Sequence, residues 1–484
     1  MKHTMKPSSA LDTLLAVADR AYSHPYYLPV SQRPALAADP LATFFIAAFT
    51  YLSFLSLSYL SLSPVPYNRR NRLLRLCLLL PALSGLSKLV LAHRAGMPEP
   101  FNESAFGLWG TIWAARACIM AFGSFGRAKR LRWVGWGWYT HREDGRAYWS
   151  TPAGQAESKR FNEAVLYGAL PVSEPKDSPL WTPWKRLALA ALFLASPRHL
   201  GFSTARPPSC YVCPPPGRKA AWFHFKRLLV TSIICDAFVL LYAFHTPFRT
   251  FYLDPSLPRP SMLDPVPPPY PNLPLPLRIL LSTLAVGVII SLSISVFYSL
   301  LAFLSSLFFP TVPFPSLHLL NPFLLLSPLP SHRARAPDSV RLFWSSAWHD
   351  LIATDLSLFA FQPLRRFSRP LALVSAFAFS GLVHCNSLRA VNMGPADKAS
   401  MAVFLLQGAA VAAETVFEWK AGRKVGGEAG RLWTMLCIGI SGVIFTELYI
   451  ARGFLGFVSP FSLPGQVMKA TWWWPEKASP GPFE

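Results

Sequence analysis

Charge is scarce in this chain: Asp, Glu, Lys and Arg make up 14% of it, against 52% hydrophobic residues. Soluble domains average about 25% charged residues, so an ordinary water-soluble globule is excluded. Acidic residues are the scarcer half, 24 against 46 Lys and Arg. The positive balance is divided among loops between apolar runs, and no nucleic-acid motif accompanies it, so no nucleic-acid partner is expected. Cysteine is sparse too. Cys77, Cys118, Cys235, Cys385 and Cys437 fall within apolar runs and read as small packing residues. Cys210 and Cys213 form a CxxC near His199 and His224, but the separations miss zinc-finger spacing and the segment is rich in proline, so no metal is assigned. Before Leu41 there is no apolar core of the about 7–15 residues that a leader needs, so a cleaved signal peptide is not expected. Internal repeats are not evident.

What the chain has instead is long apolar runs. Leu41 to Ser63, Leu73 to His93, Ala105 to Phe125, Arg227 to Phe248, Arg278 to Phe309, Leu371 to Val391, Ala399 to Trp419 and Leu432 to Ala451 are each near or above the roughly 20 residues that cross a bilayer. The expected architecture is an all-α polytopic integral membrane protein of about eight transmembrane helices. The fifth run is long for one crossing, and Val312 to Leu329 is apolar but broken by prolines, so a ninth crossing or a re-entrant piece stays open there.

Cationic clusters set the expected topology. Arg69, Arg70, Arg72 and Arg75 follow the first span, Arg127, Lys129, Arg130 and Arg132 the third, Arg333, Arg335 and Arg341 the fifth, and Lys420, Arg423, Lys424 and Arg431 the seventh. With eight spans all four clusters fall on one side, the cytosolic one, and both termini are lumenal. Positive-inside bias and attraction to anionic lipid account for most of these side chains. The organisation follows: residues 1–40 a lumenal segment, 41–125 the first three spans, 126–226 a cytosolic and interfacial region, 227–451 the main helical core, and 452–484 a tail. In the interfacial region Trp133, Trp136, Trp138, Trp149, Trp181 and Trp184 alternate with basic residues, which suits headgroup level. Trp184 to Ala195 is apolar yet too short to cross and reads as an interfacial or buried helix.

Two histidine-bearing motifs stand out. Phe343-Trp344-Ser345-Ser346-Ala347-Trp348-His349-Asp350 is followed, 35 positions after His349, by Ser380-Gly381-Leu382-Val383-His384 inside an apolar run. In the first, Trp344, Ala347, Trp348, Leu351 and Ile352 form the apolar stripe of an amphipathic helix, which leaves Ser345, Ser346, His349 and Asp350 on the other face, toward a polar cavity. His384 lies where an imidazole is desolvated unless it meets a partner or a wet cavity, and such intramembrane groups are functional candidates by default. Lys88, Arg116, Asp236, Glu414, Glu418 and Glu447 also lie in the spans and are expected to snorkel or pair, with Glu447 the strongest exception.

The order, spacing and membrane setting of these motifs resemble the membrane-bound O-acyltransferase superfamily, and more closely its wax-synthase-like branch, whose members carry an FWxxxWH or FWxxxWN signature upstream of SGLxH. The resemblance implies a helical fold around a catalytic tunnel, a catalytic role for His384, and a reactant-contacting role for His349. Trp344, Trp348, Asp350 and Ser380 become candidate substrate-binding residues. One departure is Cys385, which follows His384 where related proteins commonly have an acidic residue, so what orients the imidazole is left open. The resemblance further implies acyl-CoA as co-substrate, with no permanently bound cofactor and no metal. A hydrophobic alcohol, either a long-chain alcohol or a terpenoid or other secondary metabolite, would be the acceptor, and the location the endoplasmic reticulum membrane. Some of the cytosolic cations would then attract the coenzyme A phosphates.

The chemistry fits such residues. A neutral imidazole, of ordinary pKa about 6.5, can take the proton of an attacking alcohol, and a hydrogen-bond donor in a dry site can stabilise the thioester oxyanion. Neither motif sets a Ser or Cys beside a base as a nucleophile, and Cys385 and His384 point about 100° apart on a helix. The alternatives are a transporter, with His384, Glu414 and Glu447 as a proton or ion relay, and a non-catalytic membrane scaffold.

Overall fold

A computed structural model describes residues 40–62, 68–92, 100–123, 183–195, 218–244, 274–308, 337–348, 351–390 and 397–450. The described residues are mostly helical and contain no strand. The long elements are α1 (Pro40–Ser61), α2 (Arg69–Ser87), α3 (Pro100–Phe122), α5 (Arg218–Phe244), α6 (Leu275–Phe308), α10 (Arg369–Ala390), α11 (Asp397–Ala421) and α12 (Gly427–Ile450). One of these long helices occupies each expected span. By length and apolarity six of them qualify to cross a membrane: α1, α2, α6, α10, α11 and α12. The apolar part of α3 is shorter, Gly107–Phe122, and α5 carries Lys226, Arg227 and Asp236 along its length. The long fifth run is one unbroken helix, α6, of 34 residues. At 1.5 Å per residue that is about 51 Å, well over a hydrocarbon core of about 30 Å. The 312–329 stretch and the CxxC pair lie outside the described residues.

Local chemistry marks where helices start and stop. Asn68 caps α2, its side chain accepting from Asn71 N at 2.8 Å. Gly422, at φ +65°, ends α11 in the left-handed conformation that glycine adopts without a Cβ clash. Between α10 and α11 two glycines permit close approach, as small residues do where lipid supplies no hydrophobic drive for helix association and close van der Waals packing replaces it. A Cβ on Gly381 of α10 would lie 2.8 Å from Met401 Sδ of α11, and one on Gly408 of α11 would lie 2.9 Å from Phe377 Cβ of α10. These two glycines set the spacing of the pair.

The short apolar segment from Trp184 is a helix, α4 (Pro183–Ala195), with Ala190, Phe193 and Leu194 buried against α1 and α3. Ser58 Oγ of α1 donates to Ala190 O at 3.0 Å. Arg75, counted among the cytosolic cations from sequence, is 1% exposed, and its Nη1 donates to Met120 O at 2.9 Å in the last turn of α3. A cation at the carbonyl end of a helix is favourable there.

The FW motif departs from the expected amphipathic α-helix. Ser339 caps a short α7 (Val340–Leu342), which widens into a π-helical turn over Phe343–Ala347. Trp348 N bonds back to Phe343 O at 2.9 Å, and the helix stops. After the turn at Leu351 and Ile352 come α8 (Ala353–Leu356), a second π-helical turn (Ser357–Phe361) and α9 (Gln362–Arg365). Contacts fix the path. Arg341 meets Glu418, Val340 meets Glu414, and Trp344 meets Gln407 and Phe404, so the chain runs antiparallel along α11 from its C-terminal end toward its middle. Leu351 and Ile352 then pack with Ile112, Tyr298, Phe379 and Val383 inside the bundle. On the return, Phe359 packs on Phe379 and Ala360 O accepts from Ser375 Oγ at 2.9 Å, next to the start of α10. Residues 340–348 and 351–365 are therefore the two arms of a helical hairpin that packs into the bundle, where the first arm was expected to be an amphipathic α-helix. Non-helical backbone is tolerated at that depth because protein, not lipid, surrounds it.

Candidate functional site

The His384 imidazole sits on α10 where α11 and α12 close over it. It is half-buried. Its ring lies flat on Phe404 of α11, centroids 4.5 Å apart and planes 11° apart, and meets the edge of Phe445 of α12 at 5.5 Å and 80°. Tyr449, one turn beyond Phe445, brings its Oη to 3.4 Å from His384 Nδ1, a long hydrogen bond whose direction depends on the tautomer. The Phe445 and Tyr449 rings pack at 4.4 Å, so one face of α12 delivers both groups. A phenol from another helix thus meets the imidazole where Cys385 supplies no carboxylate. Cys385 itself is buried.

The hairpin reaches the same place through Trp344, whose ring meets Phe377 edge-on at 5.7 Å and Phe404 at 6.0 Å. Its indole N–H donates to Gln407 Oε1 at 2.8 Å. Gln407 Nε2 in turn donates to Ser441 Oγ at 2.6 Å and Cys437 O at 2.9 Å. Trp348 is half-buried and stacks on Phe343 at 5.9 Å and 18°. Ser380 is buried one turn before His384. His349 and Asp350 lie outside the described residues. Trp344 and His384 therefore converge on Phe404, and Ser380 shares the His384 helix.

Of the in-span charges expected to snorkel or pair, Arg116, Glu414 and Glu418 are paired. Arg116 of α3 forms a two-pronged ion pair with Asp355 of α8, Nε–Oδ1 3.0 Å and Nη2–Oδ2 2.9 Å, both side chains 1% exposed. Its Nη1 also donates to Leu194 O at 3.1 Å at the end of α4. Glu414 of α11 accepts from Val340 N at 2.7 Å, Arg341 N at 3.0 Å and Trp433 Nε1 at 3.0 Å, which makes it the cap of the descending hairpin arm. Glu418 pairs with Arg341 at 2.6 Å. A carboxylate occupied by three N–H donors has little capacity left to relay protons, which weighs against the transporter reading. Among the described residues no group of three or more His, Cys, Asp and Glu side chains is placed to hold a metal ion.

Sequence reasoning did not single out Tyr449, Phe404, Phe445, Gln407 or Asp355. It singled out Glu447, which is two residues from Tyr449 and so on the opposite side of α12. The available signal was the pair Phe445 and Tyr449, an aromatic i, i+4 pair ending in a hydroxyl within an apolar run.

Residues 330–406 match the model of the Membrane bound O-acyl transferase family. The matched segment holds both motifs and the hairpin and amounts to about a sixth of the chain. Comparison with curated proteins and with solved structures found no match.

Proposed function

We propose that this chain is a membrane-bound O-acyltransferase of the wax-synthase-like kind, which moves an acyl group from acyl-CoA to the hydroxyl of a hydrophobic alcohol. The observation that carries the reading is one imidazole, His384, held between Phe404, Phe445 and Tyr449 on an intramembrane helix within the family-matched segment. In the tautomer that suits a base, Nδ1–H donates to Tyr449 Oη and Nε2 carries the lone pair. Nε2 takes the alcohol proton as the oxygen attacks the thioester carbonyl. The tetrahedral oxyanion needs a donor, a role assigned to His349, and its collapse breaks the C–S bond and releases coenzyme A as thiolate, to which the proton returns. The imidazolium formed in between is favoured by the face of Phe404 beneath it.

Trp344 offers substrate its ring, since its N–H is engaged by Gln407. Trp348, Asp350 and Ser380 remain proposed contacts for the acyl chain or acceptor. The acceptor class is a long-chain alcohol or a terpenoid-like hydroxyl, and the expected location is the endoplasmic reticulum membrane, which co-localisation of a tagged chain with a marker of that membrane would check.

Purified protein given acyl-CoA and a panel of alcohols should release free thiol only when an acceptor is present. His384→Ala should lower turnover about a hundredfold or more with the detergent-solubilised protein still monodisperse. His349→Ala should cut turnover while Tyr449 and Phe404 still hold His384. Unchanged turnover in a folded His384→Ala protein removes the assignment.

A further inference from the structure

Resting on the acyl-transfer reading of His384, we infer that Gln407 is a positioning residue for this imidazole, acting through Trp344 and Phe404. The FW hairpin and the SGLVH helix then form one device that holds a single ring.

The argument begins with a polar group in an unlikely place. Gln407 is 1% exposed on a helix within the membrane-spanning bundle, where an apolar side chain would pack without needing partners. Each atom of its amide is used. An indole N–H is only a donor, so the oxygen must be the atom facing Trp344 Nε1, and the NH2 group spans Ser441 Oγ and Cys437 O. The orientation of the amide follows from chemistry and is not an arbitrary choice between two flips. Gln407 thereby ties α11, α12 and the hairpin together at one point.

From that point the chain of contacts leads to the base. Trp344 cannot turn about its side-chain bonds without losing its one hydrogen bond. Its ring supports Phe404 on one side at 6.0 Å, and Phe377 supports Trp344 from behind. Phe404 then presents a flat face to His384, and Phe445 meets both rings edge-on, at 5.5 Å to His384 and 5.9 Å to Phe404. Stacking defines the plane of the imidazole, and Tyr449 at Nδ1 defines its rotation within that plane. Release Trp344 and Phe404 gains room to rotate, so the plane is no longer defined although Tyr449 stays in place. Gly381 makes the contact tight: its missing Cβ lets Phe404 Cβ approach within 3.3 Å of the position such a carbon would take.

The test uses the full chain in detergent or nanodiscs, with Gln407→Met, Trp344→Phe and the double variant. Two quantities are read. One is kcat and KM for thiol release from acyl-CoA. The other is the rate at which diethyl pyrocarbonate carbethoxylates His384, followed on its own peptide by mass spectrometry, which needs no acyl transfer. Gln407→Met and Trp344→Phe should each lower kcat about tenfold, the scale of one lost buried hydrogen bond, with KM within about twofold in Gln407→Met, whose side chain touches no substrate. Each should also change the carbethoxylation rate several-fold. The double variant should be no slower than the worse single variant, because both remove the same bond. Multiplying losses in the double variant, or a folded Gln407→Met protein with wild-type kcat and wild-type carbethoxylation, overturns the inference. If Gln407→Met does not fold, Trp344→Phe, which keeps an aromatic ring, carries the same two readouts. If the wild-type chain shows no acyl transfer with any alcohol, the proposed function fails, and carbethoxylation alone still decides whether Gln407 positions the ring: a several-fold change upholds it and an unchanged rate overturns it.

Discussion

Tyr449 shows how much one hydroxyl contributes at this site. It supplies from α12 the partner that Cys385, next to His384, does not. A phenol can hold Nδ1 without a charge, and burying it costs less in a membrane than burying a carboxylate. The ring of Tyr449 is packed on Phe445 independently of its hydroxyl, so Tyr449→Phe should keep the stack and lose the bond to Nδ1. We expect kcat about three- to tenfold lower with KM nearly unchanged, as measured by thiol release under acyl-CoA saturation. A rate equal to wild type would show that aromatic stacking alone orients His384.

At the level of elements, the α10–α11 contact and the hairpin explain each other. Gly381 and Gly408 bring the two helices together, and that closeness places Phe404 under His384. The two glycines differ in what surrounds them. An added carbon on Gly381 first meets the sulfur of Met401, a flexible thioether, at 2.8 Å, with Met401 Cα and Phe404 Cβ behind it at 3.3 Å. One on Gly408 meets Phe377 Cβ at 2.9 Å and Val374 Cα at 3.3 Å, neither of which can move without the backbone. Gly408→Ala should therefore destabilise by about 1–3 kcal/mol, and Gly381→Ala by less, in thermal unfolding of the purified protein. The reverse order would mean that the helices are not in contact where the glycines meet. The two π-helical turns lie one on each arm of the hairpin. Each shifts the register of the chain once, a feature common near functional sites.

Across the whole molecule, Arg116 joins parts far apart in sequence: the hairpin through Asp355, the end of α4 through Leu194, and α3 itself. Removing one partner leaves the other charge buried alone. Arg116→Leu should cost about 3–5 kcal/mol, whereas Arg116→Leu with Asp355→Leu should recover much of it, since a buried ion pair repays little more than its own desolvation. Thermal midpoints in detergent will distinguish the two variants, and equal midpoints would mean that the ion pair is not the contact that matters. The loop between α11 and α12 should face the cytosol. On a background without reactive cysteines, Lys424→Cys should be labelled from that side and Pro267→Cys should not; cytosolic labelling at Pro267 would reject the eight-span arrangement.

Composition and apolar run length were enough to establish the helical membrane class and to locate the eight long helices among the described residues, because a bilayer imposes length and apolarity on each segment separately. His384 was legible as a candidate for the same reason: an imidazole within such a run needs an explanation whatever surrounds it. The short α4 was legible as too brief to cross. The hairpin was not. Its apolar residues fit the period of an amphipathic helix, and only contact with α11, through Gln407 and Glu414, draws Trp344 down beside Phe404. Nor was the set of groups around His384, since Phe404, Phe445 and Tyr449 come from two other helices and meet it only because Gly381 and Gly408 permit the approach. Periodicity reports which face of one helix is apolar, whereas the partner of a buried polar group is set by which helices touch and at what height. That is a property of packing between segments distant in sequence, and it is decided only when the bundle closes.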